Sequence, residues 1–213
     1  MTKPKTIATC LSDDGLQRAV RLLSRRDADL RSIVKQFGAP PMWARESGFS
    51  TLLHIILEQQ VSLASTRAAH NKLLELASPL TPQLFLQMDD ATLKAVGFSR
   101  QKSVYGRELA RAIVEGLIDL DALGSMDDAA VRSELVKIKG VGRWTADIYL
   151  LMVLRRPDIW PTGDLALAVA AQKVKRLRTR PTPDELDEIS VPWKPWRAVA
   201  ARILWHYYLS GVD

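Results

Sequence analysis

The stretch Leu135-Val136-Lys137-Ile138-Lys139-Gly140-Val141-Gly142-Arg143-Trp144-Thr145-Ala146 decides how this chain is read. An apolar helical segment runs into two glycines one residue apart, and a second helix starts at once. Glycine tolerates positive φ and carries no Cβ, so the backbone here can turn tightly and come close to something. The first amides of the following helix, from about Arg143 onward, have no intrahelical acceptor and sit at the positive end of its dipole. Such a helix start is an anion site, and phosphate is the obvious anion. Lys137, Lys139 and Arg143 add positive charge around the turn. The plainer reading of a bare G-x-G is a connection between two packed helices.

The 213 residues suffice for one substantial core or two small ones. With 47% hydrophobic and 25% charged residues, nothing resembles a disordered or low-complexity chain. The longest apolar run, 148–154, is far shorter than the ~20 residues that cross a bilayer. Residues 1–7 lack the apolar core of a signal peptide. A cytosolic protein is expected, nucleoid-associated if bacterial, and no membrane partner. The net charge of +6 favours a polyanionic partner. Part of that excess is local: Lys173, Lys175, Arg176, Arg178 and Arg180 form a run without an acid, a pattern that is most often a solvated face.

Cys10 is the only cysteine, which excludes an internal disulfide and any four-cysteine zinc or iron–sulfur site. His54, His70 and His206 are scattered without metal-ligand spacing. No P-loop, G-x-S-x-G or dinucleotide fingerprint occurs, so nucleotide hydrolysis and serine-esterase chemistry are disfavoured.

Nearly every segment has helical periodicity, and alternating β-branched runs are absent, so the class is all-α. An apolar stripe of Leu16, Ala19, Val20, Leu22 and Leu23 follows the start signal Ser12-Asp13-Asp14. Further helices are predicted over 27–37, 49–59, 62–76, 81–87, 89–95, 100–115, 127–137, 143–154, 164–175, 183–189 and 195–209. Gly97 reads as a C-cap between two of them. The Pro-bearing connections at 38–41 and 156–161 are the candidate crossings between subdomains.

Asp164 follows the turn Pro161-Thr162-Gly163 and precedes a helix of small apolar residues. On spacing alone it is an N-cap; a carboxylate beside so smooth a helix also suits a cleft, and the roles can coexist. Pro195 suits the first turn of the last helix. Trp196 and Trp205 point to opposite faces of that helix, Trp205 on the side of Ala198 and Tyr208.

Together these pieces resemble the helix-hairpin-helix DNA glycosylase superfamily. The order and spacing of Lys139-Gly140-Val141-Gly142 and Pro161-Thr162-Gly163-Asp164 carry the match, which extends over about 49–208. Within it the chain resembles 3-methyladenine DNA glycosylase II through Leu57-Glu58-Gln59-Gln60-Val61-Ser62, Gly142-Arg143-Trp144-Thr145-Ala146 and Trp193-Lys194-Pro195-Trp196-Arg197. The resemblance implies two helical subdomains flanking a DNA-binding cleft. One would span 50–156, with the helix-hairpin-helix at about 131–154; the other would join 1–49 to 157–213. Lys139, Gly140, Val141, Gly142, Arg143 and Thr145 would hold a DNA phosphate. A monovalent cation at the carbonyls of Ile138 and Val141 is the one cofactor implied. Asp164 would be the catalytic carboxylate, Gln59 and Gln60 the minor-groove wedge, and Trp144 and Trp205 the borders of the base pocket.

In relatives that also cleave the strand, a lysine stands where this chain has Trp144. The resemblance therefore implies a monofunctional enzyme that uses water as nucleophile. The lone cysteine departs from relatives with an iron–sulfur cluster, and 213 residues leave no room for the amino-terminal sheet domain of larger members. The expected partner is duplex DNA containing damaged bases, bound by a monomer. Competing readings are a glycosylase for ethenoadenine, hypoxanthine or 1-methyladenine, a non-catalytic DNA-binding module, and a glycosylase/lyase using a lysine elsewhere.

Overall fold

The structure, a computed structural model, describes residues 10–211. The reading of residues 1–7 lies outside them. In chain order the helices are α1 (Asp13–Arg26), α2 (Ala28–Phe37), α3 (Phe49–Glu58), α4 (Leu63–Leu76), α5 (Pro82–Gln87), α6 (Asp90–Ala95), α7 (Arg100–Val114), α8 (Asp128–Leu135), α9 (Arg143–Met152), α10 (Leu165–Val174), α11 (Pro183–Ser190) and α12 (Arg197–Leu209). Short 3-10 turns lie at Ala122–Ser125 and Val191–Trp193. No strand occurs among the described residues, and the protein is all-α, as its periodicity predicts. None of its described helices is long and apolar enough to cross a membrane.

Side-chain caps set most helix starts. Ser12, Asp27, Ser62, Thr81, Asp89, Ser99, Asp127 and Thr182 each accept a hydrogen bond from a first-turn amide. A capping residue is itself extended, so the spans predicted to begin at 27, 62, 81, 89, 127 and 164 start one residue later. Gly97, at φ 106, closes α6 as expected, with Phe98 N–H reaching back to Leu93 O. The last helix departs from expectation at Pro195. Trp196 (φ −122, ψ 29) is non-helical and its N–H bonds to Trp193 O at 2.8 Å, so α12 begins at Arg197 instead. Asp158 fixes that start by accepting from Arg197 Nε at 2.9 Å and Nη2 at 3.0 Å.

The chain divides into two compact units, at 44/45 and, inside α9, at 149/150. Neither division falls on the Pro-bearing connections, and α9 carries the chain from one unit into the other without a break. The first unit, 45–149, is built on the buried faces of α3 and α7. Leu52, Leu53, Ile55 and Ile56 of α3 are buried there, as are Leu109 of α7, Phe85 of α5 and Leu93 of α6, and α7 packs on α3, α5 and α6. The Phe85 ring lies so close to Gly106 that a Cβ would sit 2.7 Å from it, which lets α5 and α7 approach.

In the second unit, 10–44 with 150–211, α12 packs on α10, α2 and α1. The run Ala198-Val199-Ala200-Ala201 is wholly buried, as are Ala170 and Ala171 of α10. Small residues let these helices come close, where summed dispersion contacts are dense. Two cations are buried in this unit, Arg156 at 2% exposure and Arg202. Arg202 has no exposure and donates from Nε to Met42 O (2.7 Å), from Nη1 to Ala198 O (3.0 Å) and from Nη2 to Leu151 O (2.8 Å). Burial lowers its pKa to about 10, which leaves it charged at neutral pH.

Candidate active site

In the first unit the hairpin forms as a series of tight turns. Beyond α8, Lys137 N–H bonds to Glu134 O, Ile138 N–H to Leu135 O and Val141 N–H to Ile138 O. These three-residue steps end α8 at Leu135, two residues before the predicted stop. The first bond of α9 runs from Ala146 N–H to Gly142 O at 3.0 Å, so the amides of Gly142, Arg143 and Thr145 lie ahead of it. The two glycines differ in what they do. Gly140 has φ 93, and a Cβ there would fall 2.2 Å from Tyr105 Cγ; around Gly142 there is open space. The close approach inferred from sequence is thus made at Gly140, to a tyrosine of α7.

The cations around the turn are partly committed. Lys137 Nζ pairs with Glu134 at 2.8 Å, and Arg143 Nε lies 3.8 Å from Asp147 Oδ2. Lys139 is exposed and forms no ion pair among the described residues. Asp147 is fully buried and accepts from Arg132 Nε at 2.5 Å, joining α8 to α9 across the hairpin. Thr145 is buried, and its Oγ1 accepts from Gln59 Nε2 at 2.8 Å.

Gln59 binds the hairpin twice, since the same Nε2 also donates to Gly140 O at 2.8 Å. Its own carbonyl accepts from Lys102 Nζ at 3.0 Å, and Lys102 also donates to Ile56 O. Burial lowers the Lys102 pKa to about 8. The two glutamines are therefore placed differently: Gln59 is turned onto the hairpin, while Gln60 is exposed with φ 59.

His54 and His70, scattered in sequence, stack with ring centroids 4.3 Å apart. Burial, with nearby His70 and Arg45, lowers His54 to about 4. It is thus neutral at pH 7, and its 3.8 Å approach to Glu58 is no ion pair. The partner of Glu58 is Arg45, at 2.6 Å. Among the described residues no group of three or more His, Cys, Asp or Glu side chains is placed to hold a metal ion.

In the second unit the turn before α10 is closed by Asp164 N–H to Pro161 O at 3.2 Å, with Gly163 at φ 82. Thr162 Oγ1 donates to Asp187 at 2.8 Å and ties the turn to α11. Asp164, 7% exposed, caps α10: its Oδ1 accepts from Leu167 N–H at 2.9 Å. The same oxygen accepts from Trp205 Nε1 at 3.1 Å. Two donors from two helices thus fix the plane of the carboxyl group. Trp205 is almost fully buried, whereas Trp144 on α9 is partly exposed.

The basic run is less solvated than its composition implies. Lys175 Nζ bonds Asp27 at 2.7 Å and Asp29 at 2.9 Å, 5.8 Å from the Trp193 ring centroid. Arg178 and Arg180 are exposed.

A sequence profile of the HhH-GPD superfamily of base excision DNA repair proteins matches residues 53–195, a span that includes both the Gly140 hairpin and Asp164. The chain belongs to the HhH-GPD superfamily. An HhH-GPD relative, the alkylbase DNA glycosidase-like protein mag2 of Schizosaccharomyces pombe, is 30% identical over 200 residues, covering 91% of this chain and 94% of that protein. The DNA-3-methyladenine glycosylase of Bacillus subtilis is 36% identical over 105 residues, 49% of this chain and 35% of that longer protein. The solved 3-methyladenine DNA glycosylase Mag1 of S. pombe, in complex with abasic DNA, is similar in fold, with a TM-score of 0.83 and 28% identity. That likeness covers 88% of this chain and 95% of the other.

The HhH-GPD match begins after Trp43 and ends before Arg202 and Trp205. Sequence reasoning missed the first two of these, and it missed the Arg132–Asp147 pair and Lys102. Arg202 had one legible signal: a lone cation inside the run Val199-Ala200-Ala201-Arg202-Ile203-Leu204.

Proposed function

We propose that this protein is a monofunctional DNA glycosylase that hydrolyses the N-glycosidic bond of alkylated purines such as 3-methyladenine. The base would be flipped out of duplex DNA first, at a cost of a few kcal/mol. One observation carries the reading: a buried carboxyl group, Asp164, is oriented by the Leu167 amide and the Trp205 indole in a chain that also holds the Gly140 hairpin.

An alkylated purine is cationic, so its bond to C1′ is already weakened. As that bond breaks, its electron pair leaves with the base and neutralises it. Water forms the new bond to C1′ and gives up a proton. Asp164 stabilises the positive charge that develops on the sugar and orients the water or takes its proton. No acid is needed for the leaving group, and neutral, half-buried His54 supplies none. Trp144 occupies the place of the lyase lysine, so no strand cleavage follows.

In this reading the first-turn amides at Gly142, Arg143 and Thr145 hold a phosphate of the damaged strand, with Lys139 beside them. A monovalent cation suits the carbonyls of Ile138 and Val141. Ile138 O accepts one hydrogen bond and retains a second lone pair, whereas Gly140 O faces Gln59. Gln60, exposed at the turn after α3, is the wedge, and Gln59 seats it.

The test is release of free methylated base from alkylated duplex. Asp164→Asn keeps an oxygen for both donors, so it should fold and bind DNA normally while base release falls at least about a hundredfold. Near-native release by this variant would refute the assignment. A second reading, a DNA-binding module without catalysis, draws on the capping role that Asp164 already fills. It predicts no base release by the unaltered protein.

A further inference from the structure

Lys102 lies in the first turn of α7, and its ammonium group meets the end of α3. The last carbonyls of a helix have no intrahelical donor and form the negative end of its dipole, so a cation is a fitting partner there. Lys102 Nζ donates to Ile56 O in the last turn and, at 3.0 Å, to Gln59 O at the cap. Next comes Gln60, exposed and at φ 59, a region that residues other than glycine hold only where their surroundings impose it.

The same ammonium decides which way round the Gln59 side chain sits. Gln59 Oε1 lies 3.4 Å from Lys102 Nζ, while Gln59 Nε2 donates to Gly140 O and to Thr145 Oγ1, each at 2.8 Å. Turning the carboxamide over would set its NH2 against the ammonium and its oxygen against the Gly140 carbonyl, two repulsive contacts in place of attractive ones. Three residues on, along the same face of α7, Tyr105 packs under Gly140, and Gln101 Nε2 holds the Tyr105 hydroxyl at 2.8 Å. Lys102, Gln59, Gln60, Tyr105, Gly140 and Thr145 all lie within the first unit.

We propose that Lys102 is a positioning residue that locks the exposed turn at Gln60 to the Gly140 hairpin, so that the wedge and the phosphate grip move as one body. This rests on the wedge and hairpin roles proposed above and adds the residue that couples them. A side chain entering a base stack works against the stacking it disrupts. A turn that pivots on its own yields to that resistance, whereas one tied to the hairpin that holds the phosphate does not. Burial lowers the Lys102 pKa to about 8, which leaves it mostly charged at neutral pH. Without the ammonium the end of α3 loses its cation, Gln59 is free to turn over, and the tie to the hairpin is lost.

The experiment uses the full chain and a duplex in which 2-aminopurine stands beside a tetrahydrofuran abasic analogue, so the readout needs no glycosidic bond. Fluorescence at saturating protein reports unstacking of the 2-aminopurine, and titration gives the affinity. The unaltered protein should raise the fluorescence at least about twofold as stacking is lost. Lys102→Met keeps the stem without the charge. It should forfeit more than about half of that rise while binding the duplex within about threefold of normal, and Lys102→Arg should restore most of the rise. Gln59→Leu cuts the tie from its other end; it should match Lys102→Met, and the double variant should be no worse than either. A full rise in Lys102→Met overturns the proposal, as does no rise with the unaltered protein, a Lys102→Arg no better than Lys102→Met, or additive losses in the double variant. If Lys102→Met does not fold, Gln59→Leu decides by the same criterion. Release of 7-methylguanine from alkylated duplex is measured separately. An unaltered protein that unstacks the reporter through Lys102 but releases no base overturns the glycosylase reading and leaves the coupling standing.

Discussion

Asp164 Oδ1 accepts from a backbone amide and an indole at once, so one atom serves both the start of α10 and the site. Capping was legible from sequence because an Asp after Pro-x-Gly and before an apolar run leaves few alternatives. The indole was not, since Trp205 lies 41 positions away and periodicity reports only which face of α12 it occupies. Trp43 is the opposite case. Its φ of 48 has no sequence signature, and the bond that holds the preceding carbonyl, from Arg202 Nε to Met42 O, joins residues 160 positions apart. Strain of this kind has a measurable consequence. Trp43→Gly should be more stable than Trp43→Ala by about 1 kcal/mol in urea unfolding, because only glycine accepts φ 48 without penalty. In an ordinary helix or strand the order would be reversed.

At the scale of elements, the helix-hairpin-helix shows what a pattern of glycines leaves out. That two helices meet at a tight turn follows from the sequence; which glycine is indispensable does not. The answer depends on Tyr105, contributed by α7 and packed beneath Gly140. Gly140→Ala should destabilise the first unit by about 2–4 kcal/mol, combining the positive φ with a clash. In a Tyr105→Ala background the added cost should shrink to about 1 kcal/mol, the share owed to φ alone, as a double-mutant cycle of urea unfolding would reveal. Equal costs in both backgrounds would mean that the ring does not constrain the turn. Helix boundaries followed the same logic. Starts marked by Ser, Thr or Asp were readable to within a residue, whereas Pro195 misled, because a proline that suits a first turn also suits the extended approach to one.

For the whole molecule, the two units carry different acid-sensitive groups. An unfolded His54 binds a proton near 6.5, but the folded one does so only near 4. Between those values the unfolded state holds more protons, so the first unit loses stability as pH falls through that window. In the second unit, burial pushes Asp27 upward, but hydrogen bonds from Lys175, Trp193 and the Leu30 amide outweigh it and hold Asp27 below 3.8. Its contribution is complete above 3.8 and is lost only as pH drops through the lower folded value. Burial lowers stacked His70 as well, so thermal unfolding followed between pH 7 and 4 should show a decline that His54→Gln reduces and Asp27→Asn does not. The surplus of positive charge was readable from composition, but its distribution was not: Lys175, counted with a solvated face, is internal wiring of the second unit. The oxygen shared by α10 and Trp205 also bears on how such proteins diverge. Asp and Asn codons differ by one nucleotide, and either residue can supply that oxygen. A lineage can therefore exchange that carboxylate for an amide in one mutational step and still keep the cap on α10 and the bond from Trp205.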